Sequence, residues 1–72
     1  MRGYGLELRR LRGARPQSAV AEALGISQQA IAAYENEQKR PSDEVKVRIA
    51  DFYGVTVQSI FYPSEQPKVV NE

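Results

Sequence analysis

Two neighbouring amides, Gln28 and Gln29, stand directly after a serine, and Ala32, Ala33 and Asn36 follow at helical spacing. On a helix, Gln29, Ala32, Ala33 and Asn36 share the side opposite Ile31 and Tyr34, with Gln28 near the exposed N-terminal end. Amides and methyl groups thus occupy an outward side where a soluble helix normally carries Lys or Glu. A second set of candidate groups is cationic. Arg2, Arg9, Arg10, Arg12 and Arg15 fall in the first 15 residues against Glu7 alone, and Lys39-Arg40, Lys46 and Arg48 follow. Ten Lys and Arg against nine Asp and Glu leave a formal net charge of only +1, but phosphate binding depends on the local face rather than on the total. The plain alternative is an Arg-rich helix that is simply well solvated.

Other chemistries are excluded by what is missing. The chain has no cysteine and no histidine, which removes disulfides, thiolate zinc sites, Cys or His nucleophiles and any His general base. Its acids form no paired acid–base constellation, and no phosphate-cradling glycine loop or metal-ligand cluster is visible. The expectation is a protein that is not an enzyme and uses no cofactor. No apolar run approaches the ~18 residues of a membrane span, and Met1-Arg2-Gly3-Tyr4 opens no secretory signal. The cysteine-free composition fits a reducing compartment, and the expected location is cytoplasmic.

The elements that must position these groups are short helices. Seventy-two residues, 42% hydrophobic and 26% charged, make one ordinary globular domain. Tyr4, Leu8 and Leu11 form one stripe, ended by Gly13 and Pro16. Val20 and Leu24 form the next, with Gly25 where a left-handed cap belongs. Ser27 caps the helix carrying Ile31 and Tyr34, Ser42 caps one carrying Val45, Ile49 and Phe52, and Thr56 caps a last one carrying Ile60 and Phe61. The predicted helices cover residues 4–14, 17–24, 28–36, 43–53 and 57–61, around Leu8, Leu11, Val20, Leu24, Ile31, Ile49 and Phe52. The fold class is all-α: a compact five-helix domain over residues 3–62, followed by a polar tail over residues 63–72.

The stretch from Gln17 to Asn36 carries the most information. Ala21 is small where a second helix crosses close by, Gly25 supplies a positive φ, and Val20, Leu24, Ile26, Ile31 and Tyr34 pin two helices at a steep angle. This is a helix-turn-helix pattern. Together with Leu8 to Arg15, Tyr34-Glu35-Asn36, Arg40-Pro41-Ser42, Ile49-Ala50 and Phe52 to Val55, it resembles the Cro/repressor-type (XRE) helix-turn-helix family over most of the chain.

The resemblance implies a phage-repressor-like fold and a small bacterial or phage transcriptional regulator, a repressor in preference to an activator. The third helix would enter the major groove of an operator in double-stranded DNA, and the second would lie across the backbone. Gln28 and Gln29 then look like base readers, since glutamine can bond bidentately to adenine. Ala32 and Ala33 would let the helix sit deep and touch thymine methyls. Gln17, Ser27, Asn36, Lys39 and Arg40 look like backbone contacts. Arg12 and Glu35 are implied as a structural ion pair, with Arg10 as fallback partner. Because one such unit reads few base pairs, a homodimer is expected, formed in solution or only on DNA, through the fifth helix, with Phe61 and Tyr62, and the tail through Val69-Val70.

Three features depart from the family pattern. The usual Gly-Leu before the second helix is missing, which shortens the first loop. Pro16 stands where a Ser or Thr cap is usual. Glu37 replaces a glycine, placing an acid in a phosphate-facing loop, and a positive φ there would cost ~1 kcal/mol. The competing reading, which Glu37 and the low net charge favour, is a protein-interaction module on the same fold: an antitoxin, antirepressor or adaptor. The Gln28/Gln29 pair favours DNA, because a protein-binding helix would expose Leu, Met or aromatics instead.

Overall fold

A computed structural model describes residues 3–63. Five helices follow in order: α1 (Tyr4–Arg12), α2 (Gln17–Leu24), α3 (Gln28–Glu35), α4 (Asp43–Tyr53) and α5 (Val57–Phe61). No strand occurs among the described residues. The expected bounds of α2, α4 and α5 are reproduced. The first helix ends two residues earlier than expected, because Gly13 leaves the helix at φ 60°, and the third ends one residue earlier, at Glu35. Most of the polar tail, with Val69-Val70, lies outside the described residues.

The helices are short, the longest having 11 residues, so none would be stable alone in water. Packing and end-capping hold them. The closest pairing is α2 with α3, followed by α1 with α3. Ala21 is 3% exposed, as a close helix crossing requires. Leu8, Val20, Leu24, Ile31 and Ile49 are buried as expected, joined by Tyr34, Ala50, Ile60 and Phe61. Two expected core residues, Leu11 and Phe52, are only partly buried. Leu11 falls in the last turn of the shortened α1, and Phe52 is covered by the Arg15 guanidinium, 5.3 Å from its ring centre. Phe61 also needs correction as a dimer contact. It is 6% exposed, packed inside the core, with its ring 5.4 Å from that of Tyr4.

Side chains from distant elements complete several helix ends. Ser27, Ser42 and Thr56 accept from the backbone N–H three residues on, as their sequence positions predict. The N–H of Ile26 reaches the carbonyl of Ala21 and that of Gly25 the carbonyl of Glu22, a Schellman ending with Gly25 left-handed. Arg48 donates to the carbonyl of Leu24 at 2.8 Å, satisfying the same helix end. The shortened first loop is braced by Arg15. Its Nη2 and Nε donate to the carbonyls of Leu11 and Arg12, and its plane lies over Phe52 and Tyr53. A cation that donates to the last carbonyls of a helix also complements the helix dipole.

One ion pair locks α1 to α3. Arg12 donates through Nε to Glu35 Oε2 at 2.6 Å and through Nη2 to Oε1 at 2.9 Å. Gln17 adds a third bond to Oε1 at 3.0 Å, bringing α2 into the same cluster. Arg10 pairs with Glu7 instead and is not needed as a substitute. Glu35 is 4% exposed. Burial pushes its carboxyl up, but the hydrogen bonds from Arg12 and Gln17 and the charges of Arg12 and Arg9 outweigh that and hold it below its ordinary value.

Glu35 therefore contributes stability that is full above its unfolded pKa of ~4.3 and is lost as the pH falls below it. Replacing Arg12 by Ala strands the buried carboxylate. The expected loss is ~3 kcal/mol, the low end for a broken buried pair, because Arg12 keeps 20% of its side-chain surface exposed. That is a fall of ~12–24 °C in Tm for a domain of this size. The acid dependence should also weaken. Without Arg12, desolvation is opposed only by Gln17 and the Arg9 charge, so the carboxyl rises and Arg12→Ala loses less stability on acidification than the parent. Thermal unfolding of both proteins between pH 3 and 7 measures the two slopes, and parallel slopes would refute the pairing.

Candidate nucleic-acid interface

The buried anchors Ile31 and Tyr34 hold α3 against the core and leave its other side open. Gln28 and Gln29, the first two residues of the helix, are exposed, and Ala32 and Ala33 are half-buried. Asn36 caps the helix at its far end and is exposed. Gln29, Ala32, Ala33 and Asn36 therefore lie along one side of α3 away from the core, with Gln28 at its N-terminal end. A helix with its side chains is ~10–12 Å across and the major groove is ~12 Å wide. Small Ala32 and Ala33 favour close approach.

The expected backbone contacts are distributed less simply. Ser27 uses its hydroxyl to cap α3 by accepting from Ala30 N–H at 3.0 Å, so it can still donate its own proton. Gln17 turns its amide nitrogen to Glu35, which leaves one of its two N–H bonds for a phosphate. Pro16 provides no side-chain cap for α2, so the first backbone N–H groups of that helix have no side-chain acceptor from the cap. Such a helix start suits an anion. The Lys39 ammonium makes no ion pair among the described residues, while its backbone carbonyl accepts from the Tyr4 hydroxyl at 3.0 Å.

Arg40 is exposed but not loose. Its guanidinium lies 5.2 Å from the Tyr4 ring centre and 5.4 Å from that of Tyr62, a cation held over two aromatic faces. Sequence reasoning missed this, and it also missed Lys46, which is 6% exposed and donates to the Tyr62 hydroxyl. Hydrogen bonds from Lys46 and Arg40 hold the Tyr62 hydroxyl below its usual pKa. No apolar-stripe pattern marks a lysine for burial, although its helical spacing one turn after Ser42 places it beside Val45 and Ile49.

Glu37 is the most informative departure. Gln38 N–H bonds the carbonyl of Ala33 at 2.8 Å and Glu37 N–H that of Tyr34 at 3.1 Å. This is a Schellman ending for α3, built with Glu37 at φ 59° where a glycine would be unstrained. The carboxylate does not stand free in the loop. Its Oε2 accepts from Gly5 N–H at 2.9 Å, two residues after the α1 N-cap, Gly3, which has no side chain to cap with. Glu37 thus performs for α1 the task of an N-cap residue and places its charge at the positive end of that helix. Gly5 makes this approach possible, since a Cβ there would lie 2.2 Å from the carbonyl oxygen of Glu35.

Among the described residues, no three acids gather where a metal could be held, and no helix is long and apolar enough to cross a membrane. A short helix, a left-handed glycine, and a second helix with an open polar face, all clamped by α1, define a helix-turn-helix domain. The helix-turn-helix family model matches residues 6–60, and the chain belongs to this family, the Cro/repressor-type (XRE) DNA-binding transcription regulators. The family is regulatory rather than enzymatic. Neither a curated protein nor a solved structure matches the chain.

The Glu37 cap gives a test with two variants. Glu37→Ala keeps the strained φ and loses the cap, so it should cost ~1 kcal/mol. Glu37→Gly loses the same cap but relieves ~1 kcal/mol of left-handed strain, offset in part by the extra freedom of glycine in the unfolded chain. It should fall between Glu37→Ala and the parent in urea denaturation. A Glu37→Ala domain as stable as the parent would show that the carboxylate does not cap α1.

Proposed function

We propose that this protein is a sequence-specific binder of double-stranded DNA, acting as a small repressor in the cytoplasm, with α3 in the major groove and α2 across the backbone. The observation that carries the reading is the open face of α3: two exposed amides and two small residues on a helix whose opposite side is locked to the core. Gln28 and Gln29 would read base edges, Ala32 and Ala33 would meet thymine methyls, and Gln17, Ser27, Asn36, Lys39 and Arg40 would hold phosphates. No cofactor is required. The protein-interaction reading keeps one of its supports, because the exposed Glu37 carboxylate retains its charge while it caps α1.

Changing Gln29 to Ala should cost ~1–3 kcal/mol on the preferred site and relax one base position, as read by selection from random duplexes. Affinity for unrelated duplex should barely change, because that affinity comes from phosphates. Equal weakening on specific and random DNA would transfer the assignment to the protein-interaction module.

The eight residues of α3 rise only ~12 Å, about the span of three to four base pairs at ~3.4 Å each. Useful specificity then calls for two copies on half-sites about one turn apart, and the protein is proposed to act as a homodimer. With Phe61 inside the core, the described part of the expected contact surface is Tyr62 and the partly exposed side of α5. Sedimentation at micromolar protein, with and without selected duplex, should show two chains per site, and a 1:1 complex at saturation would rule the dimer out.

A further inference from the structure

We propose that Arg9 is a phosphate-binding residue of this domain, and that it positions Asn36 to share the same DNA phosphate; the proposal rests on the DNA-binding reading above. Arg9 lies on α1, outside the helix-turn-helix unit, and is exposed. Its one side-chain hydrogen bond among the described residues is donated to Oδ1 of Asn36, the cap residue of α3.

The neighbouring acids are already engaged. Glu7 bonds Arg10, Glu35 bonds Arg12 and Gln17, and Glu37 bonds the backbone of α1. Arg9 therefore keeps a full charge with no carboxylate hydrogen-bonded to it. Its guanidinium has five N–H donors in a planar fork, and the Asn36 contact uses one side of it. Donation to Oδ1 also fixes the Asn36 amide, so that its NH2 group is the part left to donate. Two donor groups, one charged and one neutral, then stand together at the C-terminal end of the reading helix, and both suit a phosphodiester oxygen. The site is rigid because α1 meets α3 through Gly5 and through the Arg12–Glu35 pair.

The test uses the full chain and a random-sequence duplex, titrated at salt concentrations from 50 to 200 mM. Arg9→Ala should lower affinity for every duplex and reduce the slope of log affinity against log salt by ~0.9, the value of one phosphate contact. Its deficit relative to the parent should accordingly be ~3-fold larger at 50 mM than at 200 mM salt. Arg9→Lys should keep the slope, since it keeps the charge. Asn36→Ala should cost less affinity in the Arg9→Ala background than in the parent, because Arg9 no longer orients the amide. Arg9→Ala should cost far less thermal stability than Arg12→Ala, because Arg9 is exposed and acts on Glu35 only through its charge.

An unchanged slope in Arg9→Ala, alongside a reduced slope in Lys39→Ala, overturns the proposal and leaves the DNA reading intact. Additive losses for Arg9 and Asn36 overturn the positioning role. A parent protein that binds no duplex at 50 mM salt overturns both the proposal and the function it rests on.

Discussion

The carboxylate of Glu35 is the point on which the domain depends. It sits almost without solvent between three helices and accepts from Arg12 on α1 and from Gln17 on α2 while belonging to α3. An ionised carboxylate in such a place is costly unless its acceptor sites are filled by well-placed donors. The filled arrangement is directional, and it sets the angles between helices more narrowly than the aliphatic core around Leu8, Val20 and Ile31 could alone. The open face of α3 inherits that fixed angle. The buried charge thereby fixes how the exposed amide row of α3 is presented.

The left-handed turn after α3 shows how one unfavourable choice is compensated locally. Glycine ends α2 and α4 at φ 72° and 71°, whereas glutamate ends α3 at φ 59°. The strain of the glutamate is of the same order as the worth of a helix cap, and its carboxylate caps α1. Gly3 and Gly5 complete the exchange, because a Cβ on either would collide with the Glu37 side chain or with the α3 backbone. An acid unfavourable to phosphate binding therefore also serves the scaffold.

Much of this was legible in the sequence where a local rule applied. Ser27, Ser42, Thr56 and Gly25 marked helix ends because each rule needs only a few neighbouring residues. The stripe of Val20, Leu24, Ile31 and Ile49 marked the core by period alone, and the outward amides of α3 followed from the same wheel. The Arg12–Glu35 pair came from family resemblance rather than from spacing. Interactions across tens of residues stayed hidden. Nothing local to Glu37 announces that Gly5 lies beside it, and nothing local to Arg40 announces two tyrosine rings. Phe61 read as a surface aromatic because α5 is too short for its stripe to define an inner face. Arg9 and Arg15 both read as cations, yet Arg15 is committed to the last carbonyls of α1 and to aromatic faces while Arg9 bonds a neutral amide.

The exchange of caps between elements bears on how the chain opens. The start of α1 is completed by a side chain from the turn after α3, the end of α1 by an arginine resting on the rings of α4, and the end of α2 by an arginine of α4. Fraying of any one of these ends exposes polar groups on another element as well as its own. Local opening is thereby coupled to opening elsewhere, and the amides of α1, α2 and α3 are set to exchange with solvent through a common, nearly global event rather than helix by helix. For a domain of such short helices, this makes the folded state close to indivisible: the chain has few stable partial structures in which to pause, and α3 is either held in place by all of its neighbours or absent.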